Sequence, residues 1–187
     1  MTIEAIKKST VYNKLSLIIS NKLFLVLMFT VMTAVASKIA IPIKPVPFTL
    51  QTLVVLLSGA WLGKKGGFYS QITYLFLGAA GIPVFAFIPD GTFGIASLFG
   101  PTGGYLLAFP LAAYLTGAIL ERSKSYFAII SAFVLGEVLI NLSGVLYLNA
   151  IYVQNINVAF TVGSLVFLFW TVIKVFIGTT IVTKFRK

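Results

Sequence analysis

Gly100-Pro101-Thr102-Gly103-Gly104-Tyr105 stands between two apolar stretches long enough to cross a bilayer. A turn rich in glycine and proline at that depth is tolerated only where it is buried in protein or lines a cavity, because lipid offers no partner to exposed peptide groups. Two glycines opening a helix leave its first N–H groups accessible, and the helix dipole places partial positive charge there. The stretch therefore predicts a cavity beside a helix start, suited to a small polar or anionic solute. A tight re-entry turn with glycines chosen for packing is the plainer alternative.

The composition around it is that of a membrane protein. The 187 residues are 59% hydrophobic and 10% charged, with mean hydropathy +1.03, whereas a soluble domain carries about 25% charged residues. The expectation is one all-α, polytopic transmembrane domain spanning 1–187, with a basic segment at 1–22. The chain has no Cys and no His, which removes thiolate nucleophiles, imidazole bases and the usual zinc and haem ligands. Its four acids, Glu4, Asp90, Glu121 and Glu137, are scattered, so no carboxylate metal centre is expected, nor any cofactor. Gly59-Ala60-Trp61-Leu62-Gly63-Lys64-Lys65 imitates a phosphate loop but has three residues between its glycines, lacks the following Ser or Thr, and follows a helix. ATP hydrolysis would have to come from another chain.

Apolar runs outward from the opening stretch give six spans, Leu23–Ile41, Phe48–Leu62, Gly67–Ile82, Gly103–Leu120, Tyr126–Asn149 and Ala159–Thr183. Eleven of the 14 basic residues then fall on one side, so the positive-inside rule places both termini in the cytoplasm. The net charge of +10 is read as a topology signal that meets anionic lipid headgroups rather than nucleic acid. Ala34-Val35-Ala36 has the form of a signal-peptide cleavage site, but the apolar run continues past it to Ile43, which favours a retained helix. The longer connections, Pro42–Pro47, Pro83–Thr102 and Ala150–Val158, lie outside and are the place for a solute-facing mouth.

Glu137 and Lys174 are the charges inside spans. Counting from the cytoplasmic ends puts them at depths of about 16 and 14 Å, close enough to pair if their faces meet. Either they form a buried bridge that fixes packing, or Lys174 faces a pocket and meets a solute carboxylate or carbonyl. Thr171 and Trp170 share the face of Lys174 at i−3 and i−4. Pro45 and Pro47 stiffen the approach to a helix whose first turns carry Thr49, Gln51 and Thr52. Phe85, Phe87, Phe93 and Phe99 are read mainly as an interfacial belt, with one or two lining a pocket. Thr30 with Ala34, and Ala36 with Ala40, have the small-xxx-small spacing of a close helix contact, within the fold or with a partner.

These motifs together resemble one family. Val46-Pro47-Phe48-Thr49-Leu50-Gln51-Thr52-Leu53, then Leu77-Gly78 with Gly81-Ile82-Pro83-Val84-Phe85, then Gly100-Pro101-Thr102-Gly103-Gly104-Tyr105, are similar in order and wording to the BioY proteins. Those are the biotin-specific S-components of energy-coupling factor (ECF) transporters. The resemblance covers roughly Met32 to Lys174. It implies six helices, an outward-facing biotin pocket, a bacterial inner-membrane location, and docking of helix 1 on a transmembrane T-component coupled to two cytosolic ATPases. It leaves self-association open. The candidate ligand residues are then Lys174, Thr171, Trp170, Tyr105, Gly103, Gly104, Thr102, Gln51, Phe85 and Asp90, and the small-xxx-small positions Thr30, Ala34, Ala36 and Ala40 are the candidate partner face. The last helix departs from the family pattern, in which Pro-Gly-Asp is followed three residues later by Lys. Here Phe169, Trp170, Thr171 and Lys174 stand in those places, so the lysine keeps its charge and the acid is a threonine. Leu106 follows Tyr105 where some relatives carry a basic residue. An S-component for another small carboxylate or vitamin is the alternative, and a membrane-embedded enzyme a more distant one.

Overall fold

The computed structural model describes residues 21–87 and 93–185. Asp90, the basic residues Lys7, Lys8 and Lys14, and the last two residues lie outside them.

Helix α1, Lys22–Lys38, starts at Asn21, whose Oδ1 accepts from the Leu23 N–H at 3.0 Å. Its polar residues Thr30, Thr33 and Ser37 are buried, and Thr30 Oγ1 donates to the Ser70 carbonyl at 2.9 Å. Strand β1, Ala40–Ile41, pairs antiparallel with β2, Phe48–Thr49, in the register Ala40↔Thr49 and Ile41↔Phe48. The second helix thus begins at Gln51, three residues later than the sequence predicts, because Phe48 and Thr49 are held in this ladder.

Helix α2, Gln51–Ala79, reverses at Gly63, whose φ of +73° favours glycine. Its arms, 51–62 and 64–79, lie side by side: a Cβ on Gly67 would sit 2.6 Å from the Gly59 Cα. The predicted four-residue turn is therefore a single bend. A 3₁₀ turn, Gly94–Phe99, leads into α3, Gly103–Arg122, then α4, Tyr126–Leu148, and a π turn, Asn149–Val153. Helix α5, Ile156–Gly163, a 3₁₀ turn at Leu165–Phe167, and α6, Leu168–Phe185, complete the chain.

The sixth predicted span is therefore broken. Ser164 has φ −138° and ψ −52°, and the Gly163 carbonyl accepts the Tyr105 hydroxyl at 2.7 Å instead of continuing a helix. The described chain crosses the bundle six times if α5 and α6 count as one pass. Three stretches are long and apolar enough to cross a membrane by themselves, Gly103–Arg122, Tyr126–Val153 and Ile156–Phe185, with mean hydropathy 1.5, 2.0 and 2.2. Helix α1 has 17 residues, at the lower limit of about 17–25 for a span.

The ends of the bundle differ. At one, the Lys64 N–H donates to Glu121 Oε1 at 2.9 Å and its Nζ lies 3.2 Å from Oε2, which ties the α2 bend to the end of α3. At the other lie the β1–β2 hairpin, the loop after α2 and the 3₁₀ turn. Lys38 Nζ donates there to the Phe85 carbonyl at 2.8 Å, and the Tyr152 hydroxyl donates to the Phe99 carbonyl.

Candidate functional site

A cavity of about 90 Å³ opens inside the second end. The chain builds it from six places. The hairpin supplies Phe48; the first turn of α2 supplies Gln51 and Thr52; the loop after α2 supplies Phe85. Helix α3 adds Tyr105, Leu106 and Phe109, α4 adds Glu137, Ile140 and Asn141, and the last segment adds Phe167, Thr171 and Lys174. Most of the wall is apolar, and its polar groups gather where α2, α4 and α6 meet.

Those polar groups are wired together. Lys174 and Glu137 are 5% and 1% exposed, and Lys174 Nζ lies 3.4 Å from Glu137 Oε1. Thr52 bridges them: its hydroxyl accepts from Lys174 at 2.5 Å and donates to Glu137 Oε1 at 2.6 Å. Two charges taken out of water need such partners, because removing one from a buried pair costs about 3–5 kcal/mol. Lys174 Nζ also stands 5.2 Å from the Phe48 ring centroid, within the range of a cation–π contact. The two charges therefore form a bridge and also line the cavity.

The aromatic wall is held by a second network. The Gln51 side-chain amide donates to the Tyr74 hydroxyl at 2.5 Å, which donates to the Val84 carbonyl at 3.1 Å. The Tyr74 and Phe85 ring centroids are 5.5 Å apart, edge to face. Helix α2 thereby fixes the loop that carries Phe85. The Tyr105 ring lines the cavity while its hydroxyl is held by Gly163.

Of the predicted site residues, Lys174, Thr171, Tyr105, Thr102, Gln51 and Phe85 line this cavity. Trp170 does not. It stands behind Phe48, ring centroids 5.1 Å apart, and is 38% exposed. Gly103 and Gly104 do not line it either. The Gly103 N–H donates to the Gly100 carbonyl at 2.9 Å. A Cβ on Gly103 would lie 2.0 Å from the Leu98 carbonyl oxygen, and one on Gly104 2.3 Å from the Tyr147 Cβ. The pair lets α3 approach the 3₁₀ turn and α4, while Gly100, Pro101, Thr102 and Tyr105 of the same stretch line the cavity. Asp90 lies outside the described residues.

The marked face of α1 is also used internally. Thr30 and Ala36 are 1% and 4% exposed and Ala34 is half-buried, while Ala40 lies beyond the helix, in β1, paired with Thr49. The outward face carries Leu27, Val31, Val35 and Ile39 instead. Asn141 escaped the sequence reading altogether. Its signal is its position four residues after Glu137, which puts both on one face of α4.

Comparisons with known proteins agree with this architecture. The model of the BioY family matches residues 7–187. The "Biotin transporter BioY" of Thermotoga maritima is 40% identical over 159 residues, covering 85% of this chain and 92% of that protein. The "Biotin transporter BioY2" of Lactococcus lactis is 41% identical over 149 residues, covering 78% and 79%. Among solved structures, the S-component for biotin from an ECF-type ABC transporter superposes with a TM-score of 0.79 at 27% identity, covering 95% of this chain and 94% of that one. With the family model spanning nearly its whole length, this chain belongs to the BioY family.

Proposed function

We propose that the chain is the biotin-capturing S-component of an ECF transporter in a bacterial inner membrane. The observation that carries the reading is the buried Lys174–Glu137–Thr52 cluster set in an aromatic cavity. Biotin has an apolar ring and chain for such walls and a ureido group for directional hydrogen bonds. The names of the relatives and of the structural neighbour support the same ligand. The basic residues at the opposite end, Lys22, Lys64, Arg122 and Lys184 among them, support a cytoplasmic placement of both termini and contact with anionic headgroups. The cavity then faces outward. Because the chain carries no nucleotide-binding loop, its inward step takes energy from partners, a T-component and two cytosolic ATPases.

Equilibrium binding of radiolabelled biotin to the purified, detergent-solubilised chain tests this directly. Saturable binding competed by unlabelled biotin supports it, and folded protein that binds none defeats it. The uncharged Thr171 in the cavity wall favours one rival, a different small carboxylate or vitamin, which competition by related compounds would reveal.

Two further outcomes belong here. Tyr105→Phe keeps the ring but leaves the Gly163 carbonyl without its partner, so a stability loss of about 1 kcal/mol is expected. Thermal unfolding should fall while biotin affinity changes less than it does in Tyr105→Ala. On α1, Val31→Asp with Val35→Asp is expected to abolish co-purification with a T-component and to leave biotin binding intact, because both residues face outward. Ala34→Trp, half-buried against the core, should disturb the fold instead.

A further inference from the structure

Beside the ligand cavity, a second void of about 330 Å³ lies between α4 and α6. Helix α4 lines it with Val134, Val138 and Asn141, and α6 with Leu168, Val172 and Val175. On each helix these residues stand three or four apart, so each bank is one straight face. Val134, Val138, Leu168 and Val172 are exposed along the rim, which makes the void a slot open to the side of the bundle. Both stretches that form it are long and apolar enough to cross a membrane, so the medium at its mouth is hydrocarbon. Toward the basic end of the bundle the slot is closed. There the Phe133 ring packs so tightly on α6 that a Cβ on Gly178 would lie 2.1 Å from it. Near its other end stands Ser164, next to the Gly163 carbonyl that the Tyr105 hydroxyl holds near the first turn of α3. From Val134 to Asn141 the slot runs about 10 Å, against the ~15 Å that one leaflet contributes to the hydrocarbon core. A partner helix needs contact through the whole core, and the Phe133–Gly178 closure denies it that. A single acyl chain entering from the ligand-cavity end matches both the length and the apolar banks.

The polar group at the slot's mouth points the same way. The hydroxyls of Thr161, Thr180 and Thr183 donate to the carbonyls four residues back, at 2.8, 2.9 and 2.8 Å, which satisfies them within their own helix. Ser164 sits at the break in the last span, where the Phe160 carbonyl already takes its N–H at 3.0 Å. Its hydroxyl lines the slot and has no partner among the described residues. A donor surrounded by hydrocarbon needs an acceptor, and the ester carbonyls of a phospholipid lie where the hydrocarbon begins. We propose that the slot holds one acyl chain of a diacyl phospholipid from the leaflet at the ligand-cavity end, with Ser164 Oγ donating to the ester carbonyl at the head of that chain. Glu137, Asn141 and Thr171 line both this slot and the ligand cavity, so the bound chain backs the wall between them.

The probes are dioleoylphosphatidylcholine and its dioleyl ether analogue, which lacks the ester carbonyls. Each is titrated against the full, delipidated chain in detergent and counted by native mass spectrometry. Neither carries net charge, so the basic end of the bundle is not their target. Wild type should take up one diester lipid per chain saturably, and the diether about threefold to tenfold more weakly, the size of one neutral hydrogen bond. Ser164→Ala should bind the two equally, at the diether's affinity, because the missing acceptor and the missing donor belong to one contact. Val138→Trp with Val172→Trp fills the slot from both banks and should bind about tenfold more weakly or worse. Leu111→Trp, exposed on α3, should bind as wild type does. If the double variant fails to fold by thermal unfolding, the Ser164→Ala cycle decides alone. The inference is overturned by no saturable uptake, by equal affinity for the two lipids in wild type, by an ester preference that survives Ser164→Ala, or by uptake that the two tryptophans leave unchanged. A wild-type dimer that the tryptophans split would overturn it too, since the slot then holds a second copy. Biotin is absent from every arm, so the proposed function stands or falls separately.

Discussion

Lys174→Ala should abolish high-affinity biotin binding, with a loss of about 100-fold or more, and should also lower the stability of the empty protein. The two effects have different origins. On the proposed function, truncation removes a donor offered to the ligand inside an aromatic cavity, where about 1.5–3 kcal/mol is at stake. It also strands Glu137, 1% exposed, as an unpaired charge, at a cost of about 3–5 kcal/mol. The comparison that separates them is Lys174→Met with Glu137→Leu, which replaces both charges by apolar side chains of similar length. Stability should return to near wild type, since apolar replacement of a buried pair is often neutral or better, while biotin binding stays lost. Isothermal titration and thermal unfolding of the single and double variants would check this. A double variant that binds biotin as wild type does would remove Lys174 from the site. Intact stability in Lys174→Ala would mean that Glu137 finds another partner.

The similar depth of the two charges is legible in the sequence, because depth in a membrane helix follows from counting. Eleven residues into one span and nine from the end of another bring the two charges to similar heights. Facing could not be counted. Whether Glu137 meets Lys174 depends on the rotation of α4 and α6, and that follows from tertiary packing such as the Phe133 ring against Gly178. The arms of α2 were legible for the same reason as the pair, through two apolar runs separated by Gly63–Gly66. What failed were the places where a long-range bond overrides a local pattern. The run from Ala159 to Thr183 reads as one apolar helix. Its break at Ser164 coincides with a tyrosine 58 positions away taking the Gly163 carbonyl. Trp170 shares a helical face with Lys174, yet an indole is long enough to slip behind Phe48 and leave the cavity to the smaller Thr171.

The glycines that opened the sequence reading carry the second large effect. Gly104→Val should prevent accumulation of folded protein, or lower its stability by about 3 kcal/mol or more. A Cβ at this position would meet the Tyr147 Cβ at 2.3 Å and the Ser143 carbonyl oxygen at 2.8 Å. Backbone cannot rotate away as a side-chain tip can, and Ser143 Oγ already fixes the crossing by donating to the Gly104 carbonyl at 2.8 Å. In a membrane, where lipid tails are as apolar as leucine, close backbone approach of this kind supplies much of the helix–helix attraction. The substitution therefore removes contacts as well as adding a clash. Leu107→Ala, three residues along the same helix and 49% exposed, is the matched control and should cost little. Any Gly104→Val protein that does fold should bind biotin weakly, because Thr102 and Tyr105 flank the displaced residue and line the cavity. Yield on size-exclusion chromatography and biotin titration of the recovered fraction separate the two consequences. Normal yield with normal affinity would show that α3 and α4 can part at this crossing without disturbing the pocket. Normal yield with lost affinity would instead extend the site for the solute to Gly104 itself.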